Sequence, residues 1–282
     1  MGVSDLFGRG RRRGARDGVR DGSGAAQRAG LTAHLPDWAL RWRRHHLSRA
    51  LIVSYGMPKS ASTFAWLVIK DVLVAGGAPV ATLSAAAKGN EATEDFVERL
   101  WPERLAAIRD EIGDDCAVVK THGLTVRPGE IEQAGFERTI VFVQHRDPRD
   151  IALSLIDHGA RSRAEGVPDF AQCTDVPACF PVLDHAIRAL EGWARHPNAV
   201  PVDYDSLCFD TEATIARIAA TCGLHVDPAR IAARYAERER ITQFNKGQSA
   251  RWRQEMSPRH AELLERRYSG YFRRFGGKDV AG

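Results

Sequence analysis

Short apolar runs alternate along the chain with stretches whose apolar residues recur at helical spacing. Leu51–Tyr55 is continuous, partly β-branched and ends at Gly56, the pattern of a buried strand. After a loop at Gly56–Ser62, Phe64, Leu67, Val68 and Val72 fall on one helical face within Thr63–Ala75, and Gly76-Gly77 ends the helix. Glu91–Ile112 reads as a second, amphipathic helix. Cys116–Lys120 is a strand leading into Thr121-His122-Gly123, and Arg138–Gln144 is the clearest strand of all. His145–Pro148 is a turn, and a helix follows over Arg149–His158. Phe180–Ala194 is helical, Ala199–Asp203 is a strand, Glu212–Cys222 is a helix closed by Gly223, and Pro258–Tyr268 is a late helix. Strands separated by helices predict an α/β fold with a mostly parallel central sheet flanked by helices on both faces. In such folds ligands bind beyond the carboxyl ends of the strands. The loops after Tyr55, Lys120 and Gln144 are therefore predicted to line one cleft.

Composition sharpens this in three ways. At 282 residues, 44% of them hydrophobic, the chain can bury a real core, and the element order places one domain at residues 49–276. The segment before it, residues 1–48, is basic: Arg9, Arg11, Arg12, Arg13, Arg16, Arg20 and Arg28 lie among glycines. It reads as a largely disordered, solvated tail with room for a short helix, available to an anionic surface; residues 277–282 are a second tail. Aromatic and basic residues are not interleaved on any strand, which speaks against specific nucleic-acid binding. No apolar run reaches the roughly 18 residues of a transmembrane segment, and no apolar core of a secretory signal opens the chain, so a cytoplasmic location is expected. The five cysteines (Cys116, Cys173, Cys179, Cys208, Cys222) include no Cys-x-x-Cys pair and read as free thiols, and no cluster has metal-ligand spacing.

Candidate chemistry concentrates in the predicted cleft. Between a strand and a helix start, Lys59, Ser60, Ala61, Ser62 and Thr63 combine a cation, three hydroxyls and unpaired helix N–H groups, the makings of an anion site. This is not a Walker A loop, in which lysine comes late and follows a second glycine. Farther along, Arg146 follows an apolar strand and is suited to a bidentate phosphate contact, with Ser154 two turns along the next helix. Near the C-terminus, Asn245, Lys246 and Gly247 precede Arg251 and Trp252. Taken from residues alone, an ATP- and magnesium-dependent, kinase-like phosphotransferase is the alternative reading.

Together these stretches resemble the PAPS-dependent sulfotransferase family across residues 50 to 275. Pro58-Lys-Ser-Ala-Ser-Thr-Phe64 resembles the family's Pro-Lys-Ser-Gly-Thr-Thr-Trp loop, which binds the 5′-phosphosulfate. Arg146 through Ser154 resembles its Arg-x-Pro-x-Asp-x-x-x-Ser motif for the 3′-phosphate. Asn245-Lys-Gly through Trp252 resembles its Arg-Lys-Gly-x-x-Gly-x-Trp segment. Lys120-Thr-His122 resembles the tripeptide with the catalytic base, and Tyr204 follows a strand end where the family's tyrosine contacts adenine. The departures are Ala61 for glycine, Phe64 for tryptophan, Ala250 for glycine and Asn245 for arginine, the last of which leaves Lys246 to carry that contact. The resemblance implies a P-loop-like nucleotide-kinase architecture, PAPS as donor and PAP as product, and no metal. It implies His122 as general base, Lys59 at the leaving phosphate and Lys120 beside the transferring group. His145 and His158 are weaker alternatives for the base. The implied acceptor is a small molecule such as an alcohol, phenol or sugar, walled by Ala78–Asn90 and Arg161–Pro181.

Overall fold

The computed structural model describes residues 45–90, 95–124, 129–236 and 247–276. The basic segment up to residue 44, Asn245, Lys246 and the tail at 277–282 lie outside the described residues. Four strands, β1 (Ala50–Gly56), β2 (Ala117–Thr121), β3 (Arg138–His145) and β4 (Ala199–Asp203), form a sheet in the order β2-β1-β3-β4. Every pairing is parallel, as expected where each strand returns through a crossover. The order puts β1 and β3 at the centre, where both faces are covered, and their sequences are accordingly largely apolar, with Ser54 the polar residue inside β1.

The period-two alternation of these strands divides the core into two layers. Leu51, Val53 and Tyr55 of β1 join Val141 and Val143 of β3 on one face. Helices α2 (Pro102–Ile112), α3 (Pro148–Glu165) and α4 (Phe180–Trp193) cover that face, together with α7 (Pro258–Arg267) and α8 (Ser269–Phe275). Ala50, Ile52, Ile140 and Phe142 face the other way, against α1 (Ser62–Ala75), α5 (Tyr204–Phe209) and α6 (Thr211–Cys222). Tyr55, fully buried, ties β1 to α4 by donating its hydroxyl to the Ala186 carbonyl at 2.7 Å. All five cysteines are buried free thiols.

Two expectations are corrected. The stretch Glu91–Ile112 is not one helix: residues 95–97 run beside β2, with Val97 N–H donating to the Lys120 carbonyl at 2.8 Å, and the helix begins only at Pro102. Proline opens a helix readily but disfavours helical backbone in the residue before it, and Trp101 is extended at φ −61°, ψ 158°. The helix expected to stop at His158 instead runs through Gly159 to Glu165. Gly159 stays helical because a Cβ there would collide with the Phe170 carbonyl oxygen and lie 2.8 Å from that of Cys173, so its role is close packing, while Gly166 at φ 69° is the true stop. Within the second stretch expected to wall the acceptor, Cys173, Val176 and Cys179 are buried in the core.

The connection from β1 to α1 is strained. Lys59 and Ala61 both occupy the left-handed region, at φ 63° and 61°. For a residue with a Cβ this conformation costs roughly 1–2 kcal/mol, part of which glycine would give back through its freer unfolded chain. Ala61→Gly is expected to stabilise the protein by about 0.5–1 kcal/mol, and Ala61→Val, β-branched at the same φ, to destabilise it by at least as much. Urea unfolding midpoints of the two variants check this; a stabilising valine would show that Ala61 is not held left-handed.

Candidate active site

The loop between β1 and α1 closes tightly on itself. A Cβ on Gly56 would overlap the Cβ of Ser62 and lie 3.0 Å from Gln144 Oε1, so only glycine lets the strand end meet the helix start. Ser60 is fully buried and donates its hydroxyl to the Met57 carbonyl at 2.7 Å, so its proton is used inside the loop. Ala61 takes the N-cap position of α1 and has no side-chain oxygen to cap the helix. The first N–H groups of a 14-residue helix, at Ser62 and Thr63, are thus left to an external anion.

The parallel register sets Ser54 of β1 beside Lys120 of β2, and the two strand ends deliver their side chains to this loop. Lys120, almost fully buried, donates to Thr63 Oγ1 at 2.7 Å. One residue beyond β2, half-buried His122 places Nδ1 2.6 Å from the Gly56 carbonyl. A carbonyl can only accept, so Nδ1 carries the proton and Nε2 of the neutral ring is a bare acceptor. Burial first, then the charge of Lys120, pulls the His122 pKa from 6.5 down to about 4; Lys59 and His185 act in the same direction, and the Gly56 carbonyl opposes them. The Phe96 ring covers His122 at 5.6 Å between centroids.

The end of β3 supplies the second cation. Arg146 is buried, donates from one terminal nitrogen to the Lys59 carbonyl at 3.1 Å and from the other to the Gln248 carbonyl at 2.8 Å. Its guanidinium lies 3.8 Å over the Tyr204 ring, whose hydroxyl burial pushes up to about 12. Among the described residues its Nε is buried without a hydrogen-bond partner. An unsatisfied cationic donor in this place fits a phosphate oxygen. Ser154 is buried on α3, the helix that Arg146 precedes. Phe64 packs edge-on against Tyr235 at 5.1 Å, and Gly247 is left-handed at φ 60°.

Lys59 sits half-buried between these groups. Burial, then Arg161 and Arg146, pull its pKa from 10.5 down to about 8, with Asp157 opposing. Its Nζ lies 3.1 Å from His158 Nδ1. The three strand-end loops thus meet, as the sequence predicts: Thr63 with Lys120, Gly56 with His122, and Lys59 with Arg146. His145, weighed as a base, is turned into the core instead, 3.3 Å from the Tyr271 hydroxyl.

Two features escape a reading of the sequence. Asp150 accepts from the Trp252 N–H at 2.9 Å and lies 3.7 Å from Arg146, so it fastens residues 248–252 over the second cation. Burial raises its pKa, and Arg146 opposes. The second is Arg251, which reads as a surface residue but is 4% exposed and bonds Asp157 and Glu255. The spacing of Arg146 and Asp150, one helical turn apart, was the available signal for the first. For the second, the Arg251–Glu255 spacing is a local signal of the same kind, whereas the partner Asp157 is remote in sequence.

No protein-family model matches the sequence, and no curated protein does. Among solved structures, the chain is similar to mouse sulfotransferase SULT7A1 complexed with PAP, at 17% identity and a TM-score of 0.56, over 85% of this chain and 88% of that one. It also matches retinol dehydratase in complex with androsterone and inactive cofactor PAP at a TM-score of 0.47, with 15% identity over 83% and 82% of the two chains. A further match, to retinol dehydratase with retinol and PAP, has a TM-score of 0.47 and 14% identity over 83% of each chain. The likeness to the mouse protein extends over 85% of this chain, and on that ground this chain has the sulfotransferase fold.

Proposed function

We propose that the chain is a PAPS-dependent sulfotransferase that moves a sulfuryl group to the hydroxyl or amine of a small acceptor. The observation that carries this reading is the hydrogen bond from His122 to the Gly56 carbonyl. It joins a neutral imidazole with a free Nε2 to the first residue of the anion loop, so a base and an anion site share one wall. The PAP held by the structurally similar mouse protein supports the choice of nucleotide. Two separated anion sites, at the start of α1 and at Arg146, suit a donor phosphorylated at both ends.

PAPS supplies the sulfuryl group and leaves as PAP. The N–H groups of Ser62 and Thr63, with Ser60 and Ala61 shaping the loop, and Lys59 and Lys120 hold its phosphosulfate end. Arg146 and Ser154, with Asn245, Lys246 and Gly247, hold the 3′-phosphate, and Phe64 and Tyr204 flank the base. As the bond from sulfur to the bridging oxygen breaks, negative charge grows on that oxygen, and the Lys59 ammonium stabilises it more than in the ground state. The acceptor oxygen forms its bond to sulfur and gives its proton to His122 Nε2. No step requires a metal, since the cations come from the protein.

Two measurements test the proposal. Calorimetry is expected to show PAP binding without magnesium; tight binding of magnesium-ATP with none of PAP would return the kinase-like reading. With labelled PAPS and a panel of alcohols, phenols and sugars, His122→Ala is expected to lose about a hundred- to ten-thousand-fold in transfer while still binding PAP. The pH dependence follows from the two shifted groups. His122 must be neutral and Lys59 charged, so kcat/KM for the donor should fall below an acid limb near 4 and above an alkaline limb near 8. An acid limb at the ordinary histidine value of 6.5 would remove His122 from the role of base.

A further inference from the structure

We propose that His158 is a positioning residue for Lys59: its Nδ1 holds the Lys59 ammonium at the mouth of the anion loop and keeps it charged. This rests on the reading of Lys59 as the cation at the leaving phosphate. The contact is 3.1 Å, and its direction follows from the two groups' surroundings. Burial, then Lys59 and Arg161, lower the His158 pKa below 6.5, whereas Lys59 keeps its proton up to about 8. Between those values Lys59 is the donor, His158 Nδ1 the acceptor, and the ring proton sits on Nε2.

Lys59 needs such an acceptor. The cations facing it are Arg146, from the end of β3, and Arg161, from the same helix as His158. The carboxylate that favours its charge is Asp157, and Asp157 already accepts from Arg251 at 2.9 Å. His122, beyond β2, is neutral. A half-buried ammonium among arginines is therefore held by a neutral nitrogen, which satisfies the hydrogen bond and leaves the charge uncompensated for an anionic ligand.

The imidazole is itself fixed. Phe170 meets it edge-on at 5.4 Å with the planes 85° apart. Phe170 is held at φ 56°, and the missing Cβ of Gly159 admits its carbonyl against α3. Asp169 and Glu165 add weak opposing charge to the ring. His158 lies one turn beyond Ser154, on the same face of α3, so one helix serves both anion sites.

The test reads Lys59 directly. Competitive acetylation with acetic anhydride across pH, followed by peptide mass spectrometry, gives the lysine's titration in the native chain, His158→Leu and His158→Asn. The native midpoint is expected near 8. Loss of a hydrogen bond to a charged group should move it down by about one pH unit in His158→Leu. His158→Asn, whose carboxamide oxygen replaces Nδ1, should restore it. PAP affinity at pH 8 should then drop about fivefold in the leucine variant alone and converge with native at pH 6, because only the charged fraction of Lys59 differs. An unchanged Lys59 titration in His158→Leu overturns the inference. A shifted titration with unchanged PAP affinity overturns the donor role of the pair. If the native chain binds no PAP at any pH, the functional reading fails, and the positioning role with it, whatever the labelling shows.

Discussion

The constraint on which the rest of the site depends is the crowding of positive charge at the carboxyl end of the sheet. Lys59 and Lys120 both act on His122, and Arg146 and Arg161 both act on Lys59. Like charges at this range repel strongly once partly desolvated. Among the described residues, Lys59 is held by His158 Nδ1 and Arg146 by the carbonyls of Lys59 and Gln248, all neutral acceptors, and Lys120 donates to Thr63 Oγ1. Asp150, at 3.7 Å from Arg146, is close but already accepts a backbone N–H. Carboxylates in the other positions would make the cluster more stable and useless as an anion site. Repulsion among the cations destabilises the folded chain, and the polyanion proposed to bind here would recover that energy as affinity.

Backbone geometry is what keeps these cations from moving apart. The parallel register brings the ends of β1, β2 and β3 into line, and the closure at Gly56 returns the chain so that helix dipole and side-chain cations address the same space. The left-handed Lys59 and Ala61 are the cost of that closure. Segment 248–252 then closes the site from outside, through Arg146 to the Gln248 carbonyl and the Trp252 N–H to Asp150. The Arg149 guanidinium stacks 3.6 Å over the Trp252 ring and fixes the same segment. A stretch distant in sequence thereby becomes part of the wall.

These two layers of organisation differ in how legible they are from residues alone. Strands β1 and β3 announce themselves, because a strand buried on both faces must be largely apolar and end at a turn. The meeting of their loops follows from parallel topology. The stretch Glu91–Ile112 misleads because its helical periodicity runs on across Pro102, where the helix in fact begins. The stop at Gly159 misleads because glycine serves equally for termination and for close packing, and only the approach of Phe170 distinguishes them. Lys59 and Arg146 are visible as charges, whereas their acceptors are not. A histidine one helix away and two carbonyls have no sequence signature, since any residue supplies a carbonyl. Ala61 shows the converse: the family's glycine at that place acquires a physical meaning only once its φ is known.

If His122 is the base, as proposed, the same crowding decides when it can act. Its pKa near 4 makes it a weak base, held neutral chiefly by burial and Lys120. Any polyanion bound against Lys59 and Lys120 opposes the repulsion those lysines exert on the imidazolium, so it must raise the His122 pKa toward the value best suited to accept a proton at neutral pH. Base strength is thereby tied to occupancy of the anion site by electrostatics alone, with no movement of the chain. Linkage makes the effect reciprocal: protonating His122 tightens the hold on the anion by the same factor. The hydrogen bond to Gly56 is what makes this coupling possible, because it fixes the ring within reach of both lysines and leaves Nε2 as the atom proposed to meet the acceptor.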